Sequence, residues 1–358
     1  MALNKQDLVQ LGKIAMTANP SAPTAYSFNG ANLTYSAVNE TLREELNALA
    51  ATHAMYRENK NLIFSIMEEV LDDVLPKTVA DRYVGLATVK QFAQGDKPEF
   101  KRNRTNNRRA KQFITRVGLA GRYEVFKLGK KTESFQVPTS ALGGAAQIGL
   151  EEFLDGRIDM AEVLKVVLDG IDEVIQEEVA RAMEGALNQL PVANKVSETG
   201  FDEVEMDRLV SIAAAYGTPV IYCTREFATR MIPSTDMMTE TMKAQIWNAG
   251  WLGNYKGTRV VIMEQSFTDE TNSTKVINPA HCWIIATGVG STPIYIAMEG
   301  NTLMKEHEND DWSRDIQVYK KVGVTAMLNN SICHYYDTSL DTDPDNDVYD
   351  GGDEDENA

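Results

Sequence analysis

Residues 159–190 read DMAEVLKVVLDGIDEVIQEEVARAMEGALNQL, and this stretch decides the fold. It contains no proline, and Pro138 and Pro191 bracket the region around it. Apolar residues recur every three or four positions, which is the spacing of one helix face. Asp159 can cap the helix, with Glu162 three residues later. The pattern predicts one helix over the whole stretch, roughly 45 Å long at about 1.5 Å per residue.

Outside its apolar stripe, the same helix is predicted to carry mainly acidic side chains. Residues 151–184 hold eleven acidic and three basic side chains. An apolar stripe is buried against another element, whereas a row of like charges is stable only against water or a basic surface. The rest of the chain must therefore supply an element that covers the stripe and, unless water solvates the acids, a basic surface that meets them.

Charge is distributed unevenly along the 358 residues, whose formal net charge is −17. Residues 97–131 hold twelve Lys and Arg against two Glu, and residues 337–358 hold ten acidic side chains and no basic one. The chain is thus an acidic body with one basic segment and an acidic tail. We predict that the tail is disordered or loosely held, because a run of like charges with few apolar residues buries little surface.

The overall composition is that of a globular protein with a core. Hydrophobic residues make up 43% of the chain and charged residues 24%, which are ordinary values. No apolar run approaches the roughly 18 residues of a membrane span. The three cysteines, Cys223, Cys282 and Cys333, are widely spaced and include no Cys-x-x-Cys pair. This usage favours free thiols in a reducing compartment.

Apolar stripes and breaker residues predict the elements on the N-terminal side of the long helix. A short helix is followed by an extended arm and then by two helical stripes, the second of which Pro76 is expected to stop. Gly-rich bends and short apolar runs then predict a long basic β-hairpin, which a small-residue connector joins to the long helix. In chain order these ranges are 3–16, 17–35, 36–59, 62–74, 80–137 and 138–150.

On the C-terminal side, helices that alternate with short buried strands predict a compact α/β unit of roughly 100 residues. The predicted helices are 202–216, 224–232 and 236–248, and the predicted strands are 220–223, 259–263 and 282–286. Residues 312–327 alternate with a period of two, so they predict a long half-buried strand or hairpin. Its apolar side can cover the stripe of the long helix.

Residues with catalytic or metal-binding chemistry form no constellation in the sequence. His53 lies on an apolar helical face and is predicted to be a core residue. His281, His307 and His334 have no Cys or His partner at metal-ligand spacing. No nucleophile elbow or phosphate loop occurs, and the aspartates that follow Asp341 lack the glycine and glutamate of a calcium loop. We predict no catalytic residue, no cofactor and no metal.

The basic segment allows two interpretations. Its Arg and Lys side chains could neutralise the phosphates of a nucleic acid, or they could meet the acidic helix of a neighbouring copy. We favour self-association, because a hairpin cannot easily fold back over the helix that directly follows it. The basic side of this predicted inter-subunit surface consists of Lys97, Lys101, Arg102, Arg104, Arg108, Arg109, Lys111 and Arg116. The acidic side consists of Glu151, Glu152, Asp155, Asp159, Glu162, Asp169, Asp172, Glu173, Glu177 and Glu178.

The order of arm, basic hairpin, long helix, α/β unit and returning strands resembles the major capsid protein of tailed bacteriophages, the Hong Kong 97-type shell fold. Residues 143–156, GGAAQIGLEEFLDG, resemble the segment that leads from the E-loop of that family into its spine helix. Residues 247–257, WNAGWLGNYKG, resemble the helix, turn and strand of its A-domain, where glycines permit a tight turn. The resemblance covers about residues 30–335.

The resemblance implies an α+β shell fold made of an N-arm, an E-loop, a P-domain and an A-domain. The N-arm with its helices would span residues 1–80, the E-loop 81–140 and the P-domain spine helix 141–199. The A-domain would span 200–297, the returning P-domain strands 298–336 and an acidic flexible tail 337–358.

The resemblance also implies a function that is structural and not enzymatic. Copies arranged as hexamers and pentamers would close into the icosahedral head shell of a tailed phage. The shell would enclose double-stranded DNA without sequence-specific binding and without a membrane. Assembly would occur in the host cytoplasm, and the protein would end in the virion. Alternatives are an encapsulin-type protein nanocompartment and a nucleic-acid-binding protein that uses residues 97–131.

Partners other than further copies of the chain are implied by the same resemblance. A portal protein and a decoration protein are expected to contact the shell. Some family members carry a long N-terminal scaffolding extension, and this chain begins at Met1 without one. Either a separate scaffolding protein or prior removal of such an extension is therefore expected, and the start at Met1 favours the separate protein.

Overall fold

The structure is a computed structural model, which describes residues 4–17, 26–28, 31–103, 132–148, 160–233, 238–269, 271–288, 292–309 and 314–342. The chain divides into two compact units. The first unit consists of residues 1–98, 136–176 and 295–324, and the second consists of residues 99–135, 177–294 and 325–358. The chain contains both helices and strands, with runs of consecutive helices and of consecutive strands, so the predicted α+β class is confirmed.

Three helices open the first unit: α1 (Lys5–Thr17), α2 (Tyr35–Leu49) and α3 (His53–Arg82). A short pair of strands, β1 (Tyr26–Phe28) and β2 (Ala31–Leu33), precedes α2. Thr34 caps α2 and Thr52 caps α3, each accepting a hydrogen bond from a backbone N–H three residues later. The predicted helix 36–59 is therefore two helices, since Thr52 begins a new one.

Helix α3 also continues through Pro76, where the sequence predicted its end. Proline lacks the N–H that would bond to the carbonyl of Asp72 four residues earlier. The side-chain amide of Gln91 donates to that carbonyl at 2.8 Å instead. Because a residue distant in sequence satisfies this acceptor, the helix tolerates the proline.

The first unit also contains a four-stranded sheet in the order β3-β12-β13-β6. Its strands are β3 (Ala87–Phe92), β6 (Ser140–Ile148), β12 (Ile294–Glu308) and β13 (Arg314–Ala326). The alternating stretch 312–327 forms β13, as predicted, with Ile316, Val318 and Val322 buried.

Two predictions about this sheet were wrong. Residues 138–150 were expected to be a connector, but most of them form β6, which pairs antiparallel with β13 from Ser140–Val322 to Ile148–Arg314. Small residues give a weak strand signal, so the pairing with β13 determines this strand. Likewise, β3 lies inside the predicted hairpin 80–137 but is a neighbour of β12 in the sheet.

The base of the predicted hairpin is a two-stranded sheet of β4 (Glu99–Asn103) and β5 (Thr132–Gln136). The segment between these strands, 104–131, lies outside the described residues. The long helix α4 spans Met160–Gly185, and two short 3₁₀ turns follow it, at Leu187–Gln189 and Val192–Asn194. It therefore ends before the predicted Leu190, where Gly185 disfavours a further α-helical turn.

The second unit is built on a six-stranded mixed sheet in the order β7-β14-β11-β8-β10-β9. The strands are β7 (Lys195–Glu198), β8 (Thr218–Cys223), β9 (Asn254–Tyr255), β10 (Thr258–Ile262), β11 (His281–Thr287) and β14 (Ile332–Asp337). The helices are α5 (Glu203–Ala214), α6 (Arg225–Arg230) and α7 (Glu240–Ala249). The three predicted strands and three predicted helices of the α/β unit are present, with shifted ends.

The start of the predicted acidic tail is ordered. Asp337 ends β14, is fully buried, and accepts a hydrogen bond from the Gly200 N–H at 2.8 Å. Asp341 accepts from Asn278 at 2.6 Å and from the hydroxyl of Tyr336. These acids accept hydrogen bonds from donors of the second unit. Charge alone therefore did not predict the order at the start of the tail. Residues 343–358 lie outside the described residues.

No helix among the described residues is long and apolar enough to cross a membrane.

Candidate subunit-interface surfaces

The base of the hairpin is held together by contacts between its two strands. The rings of Phe100 and Phe135 stack with centroids 6.2 Å apart. Arg102 lies 3.5 Å from the carboxylate of Glu133. Arg102 was predicted to meet a neighbouring copy, and the structure gives it this partner within its own hairpin. The side chains of Lys97 and Lys101 are exposed, and the other five predicted basic residues lie outside the described residues.

The root of the hairpin is fixed to the four-stranded sheet by Glu299, a buried residue of β12. Its carboxylate accepts from the hydroxyl of Thr139 at 2.7 Å, from the Gly95 N–H at 3.0 Å and from Lys321 at 3.1 Å. These three hydrogen bonds lower the pKa of Glu299 to about 2. Because Gly95 precedes β4 and Thr139 follows β5, one carboxylate holds both chain segments at which the hairpin begins and ends.

A second buried polar group ties α3 to the same sheet. The ammonium of Lys320, only 1% exposed, lies 2.7 Å from Asp72 and donates to the carbonyl of Gly300 at 2.9 Å. Asp72 also accepts from the N–H and the hydroxyl of Thr302, at 2.8 and 2.6 Å. Buried charges require partners of this kind, and here they bind a helix to two neighbouring strands.

The acidic side chains of α4 divide into exposed and buried members. Asp169 and Glu173 are exposed, as an inter-subunit surface requires. Asp172 is buried and lies 2.5 Å from Arg82, so its predicted place in the exposed surface was wrong. It lies on the side of the helix that faces its own unit, which the charge count could not distinguish.

The remaining predicted acids lie before Asp169 and after Glu173 in the chain. Glu177 bonds to Arg181, and burial raises the pKa of the neighbouring Glu178. Glu162 lies within α4. Residues 151–159, with the four earlier acids Glu151, Glu152, Asp155 and Asp159, lie outside the described residues.

An apolar groove of about 280 Å³ lies between α4 and the strands β6 and β13. It was not predicted. On the helix side it is lined by Val166, Gly170 and Val174, and Val166 is 63% exposed. The floor contains Gly143 and Gly144 of β6. The pair of glycines in a strand, opposite a glycine in the helix, is the sequence signal that could have indicated it.

The second unit exposes a different apolar group. Helix α7 has no buried residue, and its Trp247 is 90% exposed. Gly250 ends the helix at φ 85°, as the predicted tight turn requires. A Cβ atom at Gly250 would lie 2.5 Å from the Arg225 guanidinium, which stacks over Trp251 at 5.6 Å. The turn at Gly250 therefore packs closely against Arg225, whereas the helix before it is exposed to solvent.

The histidines predicted to lack partners include a buried pair. His281 Nδ1 lies 2.9 Å from His334 Nε2, and His281 Nε2 lies 3.6 Å from Glu184. Burial lowers the pKa of His281 to about 4 and lowers that of His334 as well. The partners come from adjacent strands, β11 and β14, so the pair was invisible at the level of sequence spacing. The side chain of His53 is not described.

Groups suited to metal binding are sparse in the described part of the chain, which contains no cluster of three or more His, Cys, Asp or Glu side chains that could hold an ion. The three cysteines are buried and free, and burial raises the pKa of Cys333 to about 12. A thiol held in this form is a poor nucleophile.

A family model described as "SPbeta prophage-derived putative capsid protein YonB" matches residues 11–334 of this chain. No curated protein matches it.

Three of the similar solved structures show low sequence identity to this chain. The Microbacterium phage Oxtober96 structure is 10% identical, covering 70% of this chain and 88% of that one, with a TM-score of 0.46. The capsid of the native GTA particle is 14% identical, covering 70% of this chain and 88% of that one, with a TM-score of 0.45. The SrpI encapsulin complex of Synechococcus elongatus PCC 7942 is 10% identical, covering 74% of this chain and 90% of that one, with a TM-score of 0.42.

Proposed function

The chain belongs to the YonB family of SPbeta prophage-derived capsid proteins, and from this premise we propose that it builds the icosahedral head shell of a tailed phage around double-stranded DNA. It is a shell-forming structural protein whose place is the virion. The single observation that carries this conclusion is the family match over residues 11–334. The proposed shell is made of hexamers and pentamers of this chain, assembled in the host cytoplasm.

The surfaces of the molecule support self-assembly through separate contacts. The exposed Lys97 and Lys101 lie at the base of a hairpin whose remaining segment, 104–131, is rich in Lys and Arg. The exposed Asp169 and Glu173 line α4. Single exposed ion pairs contribute only about 0–1 kcal/mol, so we expect these charges to select the register between copies more than to add strength.

The proposed arrangement places the hairpin of one copy, as the E-loop, over α4 of its neighbour, as the spine helix. The acids at 151–162 and the bases at 104–116 complete the two sides. Residues 200–297 form the proposed A-domain and meet around the symmetry axes, where the exposed Trp247 supplies apolar contact area. A separate scaffolding protein, a portal protein and a decoration protein are the further partners.

Expression of the chain, electron microscopy of the purified product and a nuclease test of its contents examine this proposal. Closed icosahedral particles are expected from the chain alone or with its scaffolding protein. Particles isolated from an induced prophage are expected to protect double-stranded DNA. Particles filled with protein cargo would instead support a nanocompartment, and a monomer or dimer with salt-sensitive DNA binding would support a nucleic-acid-binding protein.

A further inference from the structure

Two of the three cysteines lie directly opposite each other in the six-stranded sheet. Cys223 is the last residue of β8, and Cys282, the second residue of β11, is its partner in the antiparallel register. Opposed residues of paired strands place their side chains on the same face, and both cysteines belong to the buried core of this unit. The thiol of Cys282 is hydrogen-bonded to that of Cys223. The sheet thus joins two thiols that are far apart in the sequence.

The backbone at this pair has the spacing that a disulfide requires. The carbonyl of Cys223 accepts a hydrogen bond at 2.9 Å from the N–H of Met263, the residue that follows β10. Since the N–H and C=O of one strand residue point to the same side, those of Cys223 point away from β11. Cys223 and Cys282 therefore form a non-hydrogen-bonded pair, in which the Cα atoms lie about 4.5 Å apart. Disulfides span Cα separations of about 4.4–6.8 Å, so a bond can close here without a large backbone shift.

The third cysteine lies on the same sheet but out of reach. Cys333 of β14 is opposite Ile284, two residues beyond Cys282 on β11. Diagonal neighbours of this kind are about 7–8 Å apart, and cysteines whose Cα atoms are more than about 7 Å apart are not bridged without backbone movement. The geometry thus selects one pair among the three thiols and leaves Cys333 as an internal control.

We propose that Cys223 and Cys282 form a modification site, at which hydrogen peroxide produces a cross-strand disulfide after the protein leaves the reducing cytoplasm. In the first step a thiolate attacks the peroxide: the O–O bond breaks, an S–O bond forms, and one water leaves after taking up a proton. In the second step the other thiol attacks this sulfenic acid: the S–S bond forms, the S–O bond breaks, and a second water leaves. Two thiols and one peroxide thus give one disulfide and two waters.

The disulfide closes the segment 224–281, which contains α6, α7, β9 and β10. A crosslink that closes a long loop stabilises a protein mainly by restricting its unfolded chain. Both side chains are fully buried, so oxidation requires local opening of the sheet. Burial and the hydrogen bond to Cys223 also raise the pKa of Cys282, and only the thiolate is a nucleophile. We therefore expect slow oxidation that is faster at alkaline pH.

Oxidation of the purified full-length chain tests the site. The protein is exposed to hydrogen peroxide at mildly alkaline pH for longer than the hydrogen-exchange time of the Cys282 amide. It is then denatured, and its remaining thiols are alkylated. Mass spectrometry is expected to show one alkylated thiol, at Cys333, and a non-reduced peptide map that joins the peptides of Cys223 and Cys282. The thermal unfolding midpoint should rise by at least about 5 °C, and dithiothreitol should reverse the rise.

Matched variants separate the pair from oxidation in general. Cys223→Ala and Cys282→Ala should each abolish the crosslink and the oxidant-dependent rise in the unfolding midpoint, whereas Cys333→Ala should keep both. The wild-type measurement decides the proposal even where a variant fails to fold. Three alkylated thiols in the oxidised wild-type chain, a crosslink to Cys333, or sulfinic acid in place of a disulfide would overturn it.

The timing of the modification rests on the proposed function, since a virion passes from the host cytoplasm to an oxidising medium. Cells with an induced prophage are lysed directly into denaturant with an alkylating agent, and particles released into the medium are treated in the same way. The pair is expected to be reduced in the cells and crosslinked in the released particles. A crosslink that is absent after release, or already present in cells, would overturn the timing and leave the shell function intact. A chain that forms the disulfide but never forms particles would overturn the shell function and leave the site intact.

Discussion

The two sheets of the molecule are stabilised by different means. The six-stranded sheet of the second unit is covered by a dense aromatic core, in which Phe201 contacts the rings of Phe227, Tyr255 and Tyr335 at 6.0–6.4 Å between centroids. The four-stranded sheet of the first unit is joined to its surroundings by the buried ionic groups at Lys320 and Glu299. Among the described residues, β6 lies at the edge of this sheet and pairs with β13 alone, and an apolar groove lies beside it.

This difference indicates separate duties. Burial of apolar area in such a core is non-directional and stabilises one unit by itself. Buried ion pairs contribute little net stability but are sensitive to geometry, so they fix α3 and the segments at Gly95 and Thr139 against the sheet of the same unit. A shell subunit needs both: a body that does not unfold, and attachments whose direction is defined.

The largest effect is expected from truncation within the aromatic core. Phe227→Ala removes a fully buried ring that also meets Tyr335 at 5.6 Å. We expect it to lower the free energy of unfolding of the second unit by about 3–5 kcal/mol, measured by urea denaturation. Phe267→Ala is the control, because Phe267 is 43% exposed. A comparable loss in both variants would contradict the special role of the core.

A nearly equal effect is expected from the buried ammonium of the first unit. Lys320→Met leaves the Asp72 carboxylate without its cation, which is expected to cost about 3 kcal/mol and to increase hydrogen exchange at the Thr302 amide. Lys5→Met breaks an ion pair with Glu69 that is exposed on both sides. It should cost no more than about 1 kcal/mol. Equal losses in the free energy of unfolding for the two lysine variants would show that the buried Lys320–Asp72 pair does not orient α3.

Acid is expected to weaken the second unit through the buried histidine pair. The pKa of His281 in the folded protein is about 4, below its ordinary value of 6.5. Between these values the unfolded chain binds the extra proton, so stability is complete above about pH 6.5 and falls as the pH drops toward 4, by up to roughly 3 kcal/mol. Unfolding midpoints measured from pH 7 to 4.5 test this.

The variants for this measurement are His281→Gln and His307→Gln. The first should flatten the pH dependence, because it removes the group whose proton uptake differs between the folded and unfolded states. The second changes an exposed histidine and should leave the slope as in wild type. A slope that survives His281→Gln would assign the acid sensitivity to other groups.

The smallest effect on stability, and a large one on assembly, is expected at the exposed tryptophan. Trp247→Ala should change the free energy of unfolding by less than about 0.5 kcal/mol, since the side chain contacts little of its own subunit. Particle yield should nevertheless fall severalfold if the side chain is buried between copies. Lys243→Ala on the same helix is the control. Unchanged particle yield with Trp247→Ala would remove α7 from the interface.

Local sequence patterns predicted many of the helices and strands of the fold. The three/four spacing of apolar residues located α4, and the period-two alternation located β13. The glycines after Trp247 indicated the turn that Gly250 makes. These features depend on spacing within one element, which is why they can be read without tertiary contacts.

The site was predicted less well. Charge counting grouped Asp169 and Glu173, which are exposed, with Asp172, which is buried and bound by Arg82 in the same unit. It also assigned Arg102 to a neighbour, although Glu133 lies beside it. A count of charges has no direction, and a helix presents only some of its residues to solvent. The groove beside α4 escaped notice because glycines carry no side-chain signal.

The sequence by itself determined the types of most elements, though not of β6, together with the class of the fold and the resemblance to a phage capsid protein. These depend on periodicity, composition and element order. Tertiary structure alone decided which side chains of α4 are exposed, that Pro76 is tolerated within a helix, that His281 meets His334, and that β6 lies, among the described residues, at the edge of its sheet. Each of these depends on a partner far away in the chain. In residues 159–190, the apolar spacing predicted the helix, whereas packing determined which of the described acids are exposed and which are buried.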